Sequence, residues 1–211
     1  MSTTFRATGY ALCLSTLLLC ATHAHASVST STGKINFNGK VTAPVPSIVV
    51  RSNGADTELS AGTTIDLGTV SADTLDGGAF PVEGRKNFSI VLKRANATDG
   101  YNHVAAAKVS FSAPVENGVI KNTASSGARN VGVDVMFLGT GSDMSQTTDL
   151  FTDTNGTAEI PGAGLDGMQQ FAYEKTDPSF NFAAAMRQIT PEVAMTAGDV
   201  NASMTVIVTY N

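Results

Sequence analysis

Val200, Ala202, Met204, Val206, Val208 and Tyr210 fall on one parity of the chain, and Asn201, Ser203, Thr205 and Thr209 fall on the other, with Ile207 the single exception. A period of two held over such a stretch dictates a β-strand with one buried face, because a helix would scatter the same residues around its axis. The given sequence closes at Asn211, directly after this alternation. The expectation is therefore a long strand whose partners come from elsewhere, since unpaired buried backbone groups are costly.

Other segments alternate in the same way. Phe88, Ile90 and Leu92 share one side, as do Val109, Phe111 and Ala113, then Val131, Val133, Val135 and Phe137, then Phe180, Phe182, Ala184 and Met186. Strands are predicted over residues 40–50, 63–70, 86–94, 104–113 and 129–138, with one more through 180–186. Pro44 and Pro46 confine the first of these to a sheet edge or a switch point. Residues 52–56, Ser-Asn-Gly-Ala-Asp, read as a turn, and Gly139-Thr-Gly-Ser-Asp143 closes the 129–138 strand. Residues 140–167, rich in Gly, Asp and Thr, read as a loop with short strands, and Phe171-Ala-Tyr173 as a further short strand. Short strands separated by turns, with no heptads and no tandem repeat, indicate an all-β sandwich. A charged fraction of 15% and the absence of Trp fit an extracellular module.

The first residues read as a targeting segment. Arg6 precedes the apolar run from Tyr10 to Ala21, and Ala24-His-Ala26 is a small-x-small cleavage site. The run is about a dozen residues, short of the roughly 20 that span a bilayer. The expected division is a signal peptide over 1–26, an extended arm over 27–38 and one domain over 39–211. The product is expected to be exported and not to span a membrane. Both cysteines, Cys13 and Cys20, fall in the signal, so the exported part has none. That is unusual for an exported domain, although a chain of this length buries enough core without a staple.

Formal net charge is −5 at pH 7, and basic residues cluster no further than pairs such as Arg85-Lys86 and Lys93-Arg94, which argues against a nucleic-acid partner. Enzyme readings fare badly. His103 is the one histidine beyond residue 26, and no Gly-x-Ser-x-Gly elbow accompanies it. Its default place is a surface loop beside Gly100-Tyr101-Asn102. Asp149 and Asp153 sit among Thr, Gly and Asn, where solvated carboxylates are commoner than an acid–base pair. A calcium loop there fails, because setting Gly156 at the turn puts Phe151 first and Gly162 last, where oxygen ligands are required. No catalytic residue, metal site or cofactor is expected.

The two ends of the chain carry a family resemblance. Gly33-Lys-Ile35-Asn-Phe37-Asn-Gly39-Lys-Val41 opens the exported part, and Gly198, the alternating run and the penultimate Tyr210 close it. Ile65-Asp-Leu67-Gly68, Phe88-Ser-Ile90-Val-Leu92 and Asn130-Val-Gly-Val133-Asp-Val lie between, in order. Together these segments resemble the subunits of chaperone–usher, type 1-like fimbriae, over nearly all of residues 27–211. Most members of that family carry one disulfide, and the corresponding positions here are roughly Pro46 and Ala95.

The resemblance implies an incomplete immunoglobulin-like β-sandwich, completed by a donor strand from another subunit. It implies a donor segment holding Ser31, Gly33, Ile35, Phe37 and Gly39, with glycine at 33 where an acceptor groove leaves no room for a side chain. It implies a groove-edge strand of Gly198, Val200, Ala202, Met204, Val206, Val208 and Tyr210, with a periplasmic chaperone gripping the carboxylate at Asn211. Partners so implied are neighbouring pilin subunits in a homopolymer, that chaperone, an outer-membrane usher and, for a host-binding subunit, a host receptor. Ser31 and Ser29 depart from the apolar residues that would anchor the arm's outer end. The role implied is structural subunit of a fimbrium at the cell surface, the major rod subunit first and a minor or adaptor subunit second. A stand-alone secreted β-sandwich that binds a ligand is the competing class.

Overall fold

A computed structural model of the chain describes residues 46–75, 80–82, 84–93, 104–152, 154–160, 162, 164–171 and 176–211. The strands are β1 (Ser47–Ser52), β2 (Ala55–Glu58), β3 (Lys86–Lys93), β4 (Ala106–Ser112), β5 (Val115–Glu116), β6 (Val119–Lys121), β7 (Val131–Thr140), β8 (Thr148–Asp149), β9 (Thr157–Glu159), β10 (Gln169–Gln170), β11 (Ser179–Gln188) and β12 (Thr205–Tyr210). Among the described residues the only helical pieces are three short 3-10 turns, so the all-β expectation holds.

Two antiparallel sheets face one another. The first runs β2-β1-β3-β11-β7-β6-β5, with β8 also on β7. In the second, β12 follows one edge of β4, and the short β9 and β10 share the other. The predicted turn at 52–56 is a two-residue connection at Asn53-Gly54, with φ of 52° and 78°, and its far side is strand β2 rather than loop. A second Asn-Gly hairpin, Asn117-Gly118 with φ of 50° and 77°, joins β5 to β6. Positive φ at both central residues matches the right-handed twist of the flanking strands, and Asn-Gly tolerates it best.

The alternation seen in sequence becomes the core. Across the inner face of the first sheet, Val50 faces Ile90 and Ile90 faces Phe180, while Phe182 faces Phe88 on one side and Phe137 on the other. Phe182 is fully buried. It stacks on Phe88 at 5.2 Å between centroids and meets Phe111 of the second sheet edge-on at 5.4 Å. One ring thus ties three strands of one layer to the other, and such pairs add about 0.5–1.5 kcal/mol beyond area burial.

Two expected strands are absent or short. Residues 63–70 form no strand, and the terminal strand begins at Thr205 rather than near Val200. The second result has a local cause. Thr205 pairs with Ser112, the last residue of β4, and the chain then leaves the ladder through Ala113, which donates to Gly156 O at 2.8 Å, and Pro114, which has no N–H. The predicted 140–167 loop does carry short strands, β8 and β9. Phe171 follows β10 without joining a strand, and Tyr173 lies outside the described residues. Pro46 directly precedes β1, and Ala95 also lies outside them.

Candidate functional site

Two segments that lie outside the ladders over most of their length, only Thr205 and Val206 belonging to β12, are the two lips of one groove. Residues 62–68 form one lip and residues 200–206 the other, and between them lies a cavity of about 830 Å³. The first sheet supplies its floor with Val50, Phe88, Ile90, Val135, Ala184 and Met186. Asp66 is the one charged side chain among the described lining residues, and its Oδ1 accepts the Gly68 N–H at 2.8 Å. An apolar trough with two extended walls has the form of a seat for a β-strand.

The parity of the terminal run is realised in three dimensions. All of residues 200–206 border the groove, but Val200, Ala202, Met204 and Val206 are half-buried while Asn201, Ser203 and Thr205 are exposed. Val208 is buried in the core and Tyr210 packs against it half-buried, which pushes its phenol pKa up through desolvation. Ile207, the parity exception, is 42% exposed on the outer face. At the end of the chain the Asn211 N–H donates to Ala106 O at 3.0 Å, and Asn211 O accepts from Ala105 at 2.9 Å. Among the described residues β12 has β4 as its only ladder partner. Its other edge offers backbone donors and acceptors towards the groove.

Gly198 lies upstream of the groove, packed against residues 127–128. A Cβ there would stand 2.5 Å from the Ala128 nitrogen, so close approach of two backbones requires glycine. The first lip keeps one polar atom inside: Thr63 Oγ1 is buried without a hydrogen-bond partner. Sequence reasoning did not single out Leu59, Thr63 or Met186 as groove residues; they lie in a turn, a coil and a long strand whose use only the sheet packing reveals. Ser31, Gly33, Ile35, Phe37 and Gly39 all lie outside the described residues.

Of the candidates for chemistry, only Asp149 lies among the described residues. Among the described residues no cluster of three His, Cys, Asp or Glu side chains could hold a metal ion. His103 and Asp153 fall outside them, and Asp149 sits in β8 opposite Met136. Among the described residues no helix is long and apolar enough to cross a membrane.

No protein-family model and no curated protein sequence matches the chain. Among solved structures it is similar to a chain of a chaperone–usher pilus described for its rod uncoiling, at 17% identity over 88% of this chain and 99% of that one, with a TM-score of 0.49. The P pilus rod subunit PapA is similar at 18% identity, over 85% and 100% of the two chains, with a TM-score of 0.46. The CupB6 tip adhesin from Pseudomonas aeruginosa is similar at 14% identity over 59% of this chain and 29% of its own, with a TM-score of 0.34.

Proposed function

We propose that this chain is a structural subunit of a surface fimbria, polymerising by donor-strand exchange, and that the groove between residues 62–68 and 200–206 receives the arm of the next subunit. The observation that carries this reading is a pair of lips on one cavity: both segments have strand alternation, and both lack a strand partner on the groove side among the described residues. A strand laid between them would satisfy the open edge of β12 and give residues 63–67 the neighbour their pattern anticipates.

The arm over residues 27–38 has the matching chemistry. Ile35 and Phe37 share one side with Gly33 and Gly39, so one face of the arm is apolar and narrow at both ends. Burying each large side chain contributes roughly 1.5–3 kcal/mol, and the backbone ladder adds to it. A product held by a whole inserted strand is persistent because its loss requires opening the sandwich. Before exchange, an exposed apolar groove is an aggregation hazard, which is the physical reason for a periplasmic chaperone to occupy it and an outer-membrane usher to replace that chaperone with an arm.

The role is non-enzymatic, the partners are further copies of this chain, and the destination is the cell surface. Major rod subunit is the first assignment, because a groove together with the arm read from residues 27–38 suits a subunit that both accepts and donates a strand. The long segment between β7 and β10 favours an adaptor or host-binding subunit as the second. Coexpression of the exported chain with its chaperone and usher tests the reading. Ladders that resist SDS without boiling are expected from the intact chain and not from a chain lacking residues 27–38. Absence of ladders from the intact chain, with a monomer stable without chaperone, would favour a stand-alone secreted sandwich.

A further inference from the structure

Upstream of Thr205 the terminal segment has no ladder, and residues 199–201 are held instead by other contacts. One side chain stands where a strand would have been. Asn122 Nδ2 donates to Asp199 O at 2.8 Å and to Ala128 O at 2.9 Å. Its Oδ1 accepts from the Asn201 N–H at 2.9 Å and from the Ala124 N–H at 3.0 Å. A carboxamide has two donor hydrogens and two acceptor lone pairs, and here all four are used, each on backbone. The side chain does the work of a peptide unit: it takes a carbonyl and an amide from alternate residues of one segment and ties them to residues 122–128.

The surrounding contacts are built around it. Asp199 O also accepts from Ala128 N at 2.9 Å, and Asn201 O accepts from Thr123 N at 2.7 Å and from its hydroxyl at 3.1 Å. A Cβ on Gly127 would stand 2.4 Å from Asn122 Nδ2 and 2.7 Å from Asp199 O. Glycine at 127 and at 198 therefore makes room for the carboxamide and for the backbone it holds. The residues so fixed, Asp199 and Asn201, flank Val200, which lines the groove.

We infer that Asn122 is a positioning residue for strand acceptance: it holds the 199–201 end of the groove lip in extended form before any incoming strand arrives. The inference rests on the proposed function for its purpose, though the clasp is a feature of the folded chain alone. A lip already extended does not have to be ordered by the arm that binds it, so less of the binding free energy is spent on ordering.

Asn122→Asp tests it with a nearly isosteric change. The ionised carboxylate keeps the acceptor towards Asn201 and Ala124 and sets a second oxygen against the carbonyls of Asp199 and Ala128. Each lost hydrogen bond, left unsatisfied, is worth about tenfold in an equilibrium. At pH 7, hydrogen–deuterium exchange at the Asn201 and Ala128 amides of the chaperone-bound full chain is expected to quicken at least about tenfold in Asn122→Ala, which removes donor and acceptor, and measurably but less in Asn122→Asp, with β3 and β11 unchanged. Subunit addition, followed as ladder growth at the usher, is expected to slow by a similar factor. Below the carboxylate pKa the regained O–H donor is expected to restore part of the protection in Asn122→Asp and none in Asn122→Ala. Unchanged exchange at Asn201 would overturn the clasp itself. Quickened exchange with wild-type ladder growth would overturn the positioning role. Failure of the wild-type chain to form ladders at all would count against the proposed function and leave the exchange result to decide the clasp.

Discussion

Thr205 faces Ser112 in the last rung of the ladder between β12 and β4. Everything upstream of that rung on the terminal segment loses its strand neighbour, because Ala113 and Pro114 carry β4's chain towards β5. The alternation of residues 200–204 therefore outlasts the ladder that would use it, and those residues border a trough instead. Backbone amides at 202–204 and at 63–67 are expected to exchange freely in the monomer and to be protected by at least a hundredfold in assembled material, read by hydrogen–deuterium exchange. Equal exchange rates in the two states would show that no strand is added between the lips.

Gly198 tolerates no side chain. Because an added Cβ would lie 2.5 Å from Ala128 N and 2.7 Å from Gly127 C, Gly198→Ala must part the two backbones and break the Asp199 O–Ala128 N bond. Overpacking of this kind costs about 1–3 kcal/mol. Urea unfolding should show that loss, with the greatest local effect at the Ala128 amide.

Phe182 joins β3, β7 and the second sheet through ring contacts of 5.2, 5.5 and 5.4 Å. Phe182→Ala removes all three and leaves a cavity between layers, for an expected cost of about 3–5 kcal/mol in unfolding free energy. Phe171→Ala at the sandwich periphery, where the ring is half-buried, should cost less.

Asp134 is buried on the first sheet with its carboxylate paired to Arg187, and its Oδ1 has no partner. Burial pushes its pKa up to about 6, against the opposing pull of the Arg187 charge. An unfolded aspartate titrates near 3.9, so between about pH 4 and 6 the folded chain binds more protons than the unfolded one. This group's contribution to stability is therefore largest at the acid end of that window and falls as pH rises through it. Asp134→Asn should flatten that part of the profile, and the difference between the two chains in urea unfolding at pH 4.5 and 7.5 isolates it. Identical pH dependence in both chains would contradict the assignment.

Much of the fold was legible because side-chain parity reports burial directly. Phe88-Ile90-Leu92 and Phe180-Phe182-Ala184 lie in adjacent strands as their alternation requires, and 139–143 does end β7. What parity does not report is whether a partner exists. Residues 63–70 and 200–204 alternate like the others, yet no described strand stands beside them on the groove side, so pattern alone overstated their secondary structure. The hairpin at Asn117-Gly118 was readable from its dipeptide and was missed because two- and three-residue strands carry too little alternation to register. Asn122 had no signal at all, since its role depends on residues nearly eighty positions away. The donor positions Ser31 to Gly39 remain readings of the sequence.

Because the sequence beyond residue 26 contains no cysteine, an engineered pair reports contact without competing thiols. The central claim is that the trough between Ile65 and Met204 is filled by the arm of another copy. Mild oxidation of assembled material carrying Ile35→Cys with Met204→Cys, sampled alongside neighbouring pairs at residues 33 and 37, tests it most directly. The account predicts a reducible covalent ladder of two, three and more subunits from the double variant, and no such ladder from either single variant. A cross-link confined within one chain, or none at any register, would contradict it.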